Sequence, residues 1–95
     1  MDRIKLTRLI ENYLRENPLW YWDFISDQYA LHDFIFELMQ ILNPDTEKDE
    51  QMIEDSATQV VSEFDEEWEN MSQDERYRFA KKLEQFGADV DYDFI

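Results

Sequence analysis

Residues 45–70, DTEKDEQMIEDSATQVVSEFDEEWEN, form the longest stretch of this chain that has a helical pattern. Apolar residues recur every three or four positions, which places them on one face of an α-helix. The stretch follows Asn43 and Pro44, and the residue before a proline avoids helical backbone angles. We therefore predict one long helix from Thr46 to Asn70. The predicted core-facing residues are Ile53, Ala57, Val60, Phe64, Trp68 and Met71.

The segments before this helix also have a helical composition, because the whole chain contains one glycine and two prolines. A first helix is predicted over residues 2–16. Asn17 is predicted to cap a short aromatic helix of one or two turns, with Pro18 at its first position. A third helix, capped by Ser26 or Asp27, is expected to end near Asn43. The predicted core-facing residues are Leu6, Leu9, Ile10, Tyr13, Leu31, Phe34, Ile35, Leu38, Ile41 and Leu42.

A last helix is predicted after the long one. Ser72 and Glu75 have the spacing of a capping box, and Gly87 is suited to the helix C-terminus. Phe79, Ala80, Leu83 and Phe86 are predicted to face the core.

The final residues alternate acidic and apolar side chains from Asp89 to Phe94. This period of two predicts an extended segment whose Val90, Tyr92 and Phe94 dock on the bundle. The predicted fold is therefore all-α, a compact bundle of four to five helices with an extended acidic C-terminal tail. We expect residues 1–95 to form a single domain.

Charge is the most informative feature of the composition. Twenty-four Asp and Glu oppose nine Lys and Arg, for a net charge of −15, and aromatic residues at 16% argue against disorder. Such a charge repels nucleic acid and anionic lipid and attracts basic surfaces. Residues 45–70 alone carry eleven acids and one lysine. Two thirds of the net charge therefore belongs to the long helix.

The linear charge density of this helix predicts its function. Twenty-six helical residues span about 39 Å, so ten net charges amount to about one per 3.9 Å, against about one per 3.4 Å on a DNA strand. We expect its carboxylates, together with those of the tail, to replace phosphates against a partner's Lys and Arg. The predicted partner-binding residues are Glu47, Glu50, Glu54, Asp55, Glu63, Asp65, Glu66, Glu69, Asp89, Asp91 and Asp93.

Three functions fit this surface. The first is a DNA mimic that inhibits a nucleic-acid-binding protein, as in phage- or plasmid-type anti-defence proteins such as anti-restriction or anti-CRISPR inhibitors. The second is an immunity protein or antitoxin that neutralises one basic nuclease or toxin. The third is an acidic structural subunit that docks on a basic assembly partner. A plain solvated face is the alternative to all three.

Aromatic residues offer a further interface. Trp20, Trp22 and Phe36 are candidate anchors for a partner or a homodimer, because Trp and Tyr are frequent at binding hot spots. The competing interpretation is that the cluster around Trp20 and Trp22 packs in the core.

Neither catalysis nor a cofactor is predicted. His32 is the single histidine, the chain has no cysteine, and one glycine cannot build a phosphate-binding loop. Asp89, Asp91 and Asp93 resemble the opening of a calcium loop, but Phe94 occupies the position that requires glycine, so no metal site is expected. The N-terminus lacks the pattern of a signal peptide, and the expected location is the cytoplasm.

Overall fold

Five α-helices and a final 3₁₀ turn make up the computed structural model over the residues it describes, 2–95. The helices are α1 (Arg3–Glu16), α2 (Leu19–Ser26), α3 (Ala30–Leu42), α4 (Glu47–Asn70) and α5 (Gln73–Gln85). They pack into a body measuring 43 × 24 × 21 Å. The prediction of an all-α bundle is confirmed for this part of the chain.

The long helix α4 is the centre of the bundle, and it packs against α1, α2 and α3. Its apolar face is buried as predicted, with Trp68 and Met71 half-buried at its end. Ser56 and Val61 are also buried, and the spacing rule did not predict them. Among the described residues, the Ser56 hydroxyl has no hydrogen-bond partner, so it is an unsatisfied polar group inside the core.

Helix α2 contributes an aromatic core. Phe34 of α3 lies 5.2 Å from the ring of Trp20 and 5.3 Å from that of Phe24, and Tyr21 lies 4.7 Å from Phe64 of α4 (centroid distances). Aromatic pairs at these separations contribute beyond the area they bury. They fix the short helix α2 across α3 and α4.

Two predicted caps are wrong. Helix α3 starts after Tyr29, which makes no side-chain cap, whereas Ser26 ends α2 and Asp27 accepts a hydrogen bond from the Tyr29 N–H before the helix begins. Asn17 ends α1 rather than starting α2, because its side-chain amide donates to the Tyr13 carbonyl at 2.9 Å and its backbone N–H also points back into α1. Helix α2 starts after Pro18 without a side-chain cap. The predicted caps at both ends of α5 are confirmed: Ser72 and Glu75 form the capping box, and Gly87 follows the helix with a φ of 104°.

Three residues predicted to face the core are exposed instead: Leu9, Ile41 and Phe86. In α1, Leu14 continues the buried row of Leu6 and Ile10, so the buried stripe is narrower than predicted and Leu9 lies at its edge. The tail prediction is also wrong in part, because Tyr92–Phe94 form a 3₁₀ turn. Asp91 caps this turn by accepting a hydrogen bond from the Asp93 N–H at 3.0 Å.

Candidate functional site on helix α4

The carboxylates predicted to bind a partner lie on the surface. Asp89, Asp91 and Asp93 of the C-terminal segment are exposed. So are all eight of the predicted α4 residues, Glu47, Glu50, Glu54, Asp55, Glu63, Asp65, Glu66 and Glu69.

The acids of α4 fall into two groups rather than one even row. The N-terminal acidic cluster comprises Glu47, Asp49, Glu50, Glu54 and Asp55. Between the two groups, the exposed side chains are uncharged: Thr58, Gln59 and Ser62. The gap from Asp55 to Glu63 is about 12 Å along the helix axis. The C-terminal acidic cluster comprises Glu63, Asp65, Glu66, Glu67 and Glu69.

The N-terminal acidic cluster is well placed for helix stability. Glu47, Asp49 and Glu50 lie in the first turn, where the helix dipole favours negative charge. Thr46 caps the same end, because its hydroxyl accepts a hydrogen bond from the Asp49 N–H at 3.1 Å. Local helix stability therefore accounts for Glu47, Asp49 and Glu50 without any partner.

The C-terminal acidic cluster has the opposite relation to the helix. It crowds the end at which the dipole disfavours negative charge, and the last turn contains no basic residue. Arg76 of α5 offsets this in part. Its guanidinium donates to the backbone carbonyls of Trp68 at 2.9 Å and Glu69 at 3.2 Å, and it lies 5.1 Å from the centre of the Trp68 ring. Arg76 thus caps the backbone of α4 and leaves the carboxylates to solvent.

Part of the C-terminal acidic cluster surrounds an open depression of about 600 Å³ where α4 meets α5. Two of its carboxylates, Glu67 and Glu75, are not among the predicted binding residues. Glu67 is one turn beyond Glu63, and Glu75 belongs to the capping box, which explained it structurally. The lining residues are Glu63, Glu66, Glu67, Asn70, Met71 and Glu75.

Crowding also affects protonation. The pKa of the Asp65 carboxyl is raised above its ordinary value of 3.8, mainly because the carboxylate is partly removed from water and further because of the Glu69 charge. The pKa of Asp23 in α2 is raised by the same loss of water and by Asp27 and Asp33. Loss of water is thus the larger cause of both raised pKa values, and neighbouring like charges add to it.

The C-terminal segment lies away from this cluster and contacts α5 and α2. The Tyr92 hydroxyl donates to the Glu84 carboxylate, and Lys81 lies over the rings of Tyr77 and Tyr92 at 5.5 and 5.4 Å. The rings of Phe94 and Trp22 are nearly perpendicular, with 6.1 Å between their centroids. These contacts fix where Asp89, Asp91 and Asp93 reach solvent.

The three candidate aromatic anchors differ in exposure. Trp22 is 6% exposed and belongs to the core, and Trp20 is half-buried against Phe34. Phe36 of α3 is 64% exposed, and Tyr29, which directly precedes α3, is 63% exposed. Of the three candidates, Phe36 is the most exposed.

Residues 2–95 contain no group of three or more His, Cys, Asp or Glu placed to hold a metal ion. His32 is exposed on α3. Over the same residues, none of the helices combines the length and apolar character needed to cross a membrane. No protein-family model, curated protein or solved structure matches this chain.

Proposed function

We propose that this protein is a non-catalytic inhibitor that binds the basic, nucleic-acid-binding surface of another protein. The observation that carries the proposal is the C-terminal acidic cluster, with five exposed carboxylates in the last eight residues of α4. Stability alone would favour lysines at this end of a helix. A charge arrangement that costs folding free energy is explained if binding requires it.

In this proposal the carboxylates of α4 take the positions that phosphates occupy in the natural complex. Helix α4 is about 36 Å long, so its two acidic clusters reach both ends of a groove that holds one nucleic-acid backbone. The uncharged middle of the helix then faces the part of the groove with the fewest basic groups. Binding of this kind is fast and weakens as salt increases.

The DNA-mimic proposal is tested by competition. The protein is immobilised, exposed to bacterial lysate at about 0.1 M salt, where charges are screened beyond about 10 Å, and eluted either with duplex DNA or with polyglutamate of equal total charge. We expect duplex DNA to release a set of nucleic-acid-binding proteins that polyglutamate releases poorly. Equal release by both polymers would show attraction by charge alone and would contradict the proposal.

The finer proposal concerns the target. A DNA mimic carried by a phage or plasmid would act on a defence nuclease, for example a restriction or CRISPR enzyme. The identity of the proteins released by duplex DNA tests this directly. Release of housekeeping DNA-binding proteins without any defence nuclease would contradict an anti-defence role.

A second candidate is an immunity protein or antitoxin, and the exposure of Phe36 and Tyr29 favours it. A dedicated inhibitor needs an apolar anchor in addition to charge. Such an inhibitor would retain one partner at high salt, and the Phe36→Ala variant would fail to retain it. Ile4→Ala is the matched control, because Ile4 is equally exposed but lies on α1.

A further inference from the structure

A second surface of the molecule is an apolar groove between α1 and the end of α3, with a volume of about 540 Å³. Its floor includes Leu9 and Ile41, which are 43% and 50% exposed although their spacing predicted burial. Tyr13 and Leu42 complete the apolar part of the floor. The lining residues are Lys5, Arg8, Leu9, Asn12, Tyr13, Glu16, Ile41 and Leu42.

The rim of this groove has the opposite charge to most of the molecule. Lys5 and Arg8 belong to a helix that carries four basic and three acidic groups when Asp2 is included, whereas the chain has a net charge of −15. Glu16 is the single acid among the lining residues. The groove therefore suits a segment that combines apolar side chains with acidic ones.

The C-terminal segment of the same chain has this chemistry. Asp89, Asp91 and Asp93 alternate with Val90, Tyr92 and Phe94. Phe94 is 51% and Tyr92 is 37% exposed, so their contacts with Trp22 and α5 leave part of each ring open to solvent. The segment thus presents apolar surface between carboxylates.

We propose that the groove of one molecule binds the C-terminal segment of a second copy, in a head-to-tail contact. The apolar rings cover Leu9 and Ile41, and the aspartates approach Lys5 and Arg8. Each copy then has one groove and one segment, so the interface is heterologous and longer assemblies can grow from it. The contact leaves the acidic clusters of α4 free and does not depend on the proposed function.

Sedimentation velocity over a range of protein concentrations tests this contact, at about 0.15 M salt, where net repulsion is screened beyond about 8 Å. We expect the wild-type protein to self-associate and Leu9→Asp to weaken association at least tenfold. Ile4→Asp is the matched control on the same helix, outside the groove, and should associate like the wild type. A wild-type protein that stays monomeric at all concentrations, or unchanged association of Leu9→Asp, would overturn the proposal.

Mixing variants then separates head-to-tail contact from a groove-to-groove dimer. Leu9→Asp keeps an intact segment and Phe94→Asp keeps an intact groove, so neither should associate alone but an equimolar mixture should form dimers. A mixture that remains monomeric would overturn the head-to-tail contact.

Charge exchange provides a test that does not disturb the packing of Phe94 on Trp22. Arg8→Glu should weaken association, and a mixture with Asp93→Lys should restore it, because the two new charges attract each other. Failure of the exchange to restore association would contradict the assigned pairing of rim and segment.

Discussion

The two ends of helix α4 carry similar negative charge under opposite physical conditions. At the N-terminal end, Glu47, Asp49 and Glu50 interact favourably with the helix dipole, and Thr46 caps the backbone. At the C-terminal end, the acids oppose the dipole, and the capping contacts come from Arg76 of another helix. An acid at the first end is explained by the fold, whereas an acid at the second end needs a further reason. That difference identifies the C-terminal acidic cluster as the better candidate for binding.

The largest expected effect on the free energy of unfolding comes from removing Arg76, which caps the C-terminal end of α4. Arg76→Ala deletes two hydrogen bonds to the carbonyls of Trp68 and Glu69 and the contact with the Trp68 ring. Hydrogen bonds from a charged donor contribute about 1.5–3 kcal/mol. We therefore expect the free energy of unfolding, measured by urea denaturation, to fall by about 2 kcal/mol.

Arg78→Ala is the matched control for Arg76→Ala. Arg78 donates within its own helix, to the Asp74 carbonyl at 3.4 Å. Its removal should change the free energy of unfolding by less than about 0.5 kcal/mol. Equal losses in the two variants would show that Arg76 has no special role in capping α4.

The next largest effect on stability is expected from the cap at the N-terminal end of α4. Thr46→Ala removes the hydroxyl that accepts from the Asp49 N–H, and such a substitution costs about 1 kcal/mol. Thr58→Ala is the control, because Thr58 is exposed in the middle of α4 and bonds back to the Glu54 carbonyl of the same helix. Thermal unfolding monitored by circular dichroism should show a lower Tm for Thr46→Ala than for Thr58→Ala. The reverse order would contradict the role of Thr46.

Neutralising charge at each end compares the two clusters directly. The double variant Glu66→Gln/Glu69→Gln should raise the free energy of unfolding, and Glu47→Gln/Glu50→Gln should lower it. Charge–dipole interactions contribute about 0.3–1 kcal/mol each, and exposed side chains lie in the lower part of this range, so each pair should shift the free energy of unfolding by about 0.6–1 kcal/mol. Chemical unfolding at low salt measures both, and a shift of the same sign and size in the two variants would remove the distinction between the ends.

The smallest expected effect is on the pH dependence of the free energy of unfolding. Because the pKa of Asp65 is raised in the folded state, the folded protein binds this proton more tightly than the unfolded chain does. Stability from this group is complete below the ordinary Asp value of 3.8 and is lost as pH rises through the raised pKa. Asp65→Asn should therefore show a weaker gain in stability than the wild type when pH is lowered from neutral toward that value. An identical pH profile in the two proteins would contradict this contribution.

Helical periodicity and punctuation by Asn-Pro predicted most of the fold. The buried face of α4 and the caps around α5 followed from spacing alone, because an amphipathic helix buries a fixed stripe. Leu9 and Ile41 could not be placed from periodicity, because each lies at the edge of its stripe and only the position of the neighbouring helix decides its burial. Asn17 was misplaced because it is adjacent to two helix ends, and both offer backbone groups to its amide.

For the candidate site, the sequence predicted that the acids lie on α4 but not that they form two separate clusters. A count of charges along α4 treats the helix as uniform, whereas the exposed residues Thr58, Gln59 and Ser62 separate two clusters. The role of Arg76 was also beyond the sequence, since it depends on α5 folding back onto the end of α4. Trp22 differed from Phe36 for a similar reason, because the contacts that bury it come from distant parts of the chain.

The most direct test of the central claim uses the proteins that duplex DNA displaces from the immobilised wild type. The salt concentration needed to elute these proteins is measured for the immobilised wild type, Glu66→Gln/Glu69→Gln and Glu47→Gln/Glu50→Gln. If the C-terminal acidic cluster is the main binding surface, the Glu66→Gln/Glu69→Gln variant releases its partners at clearly lower salt than the other two proteins. Release of partners from both double variants at the same salt would contradict the claim and would assign binding to total charge.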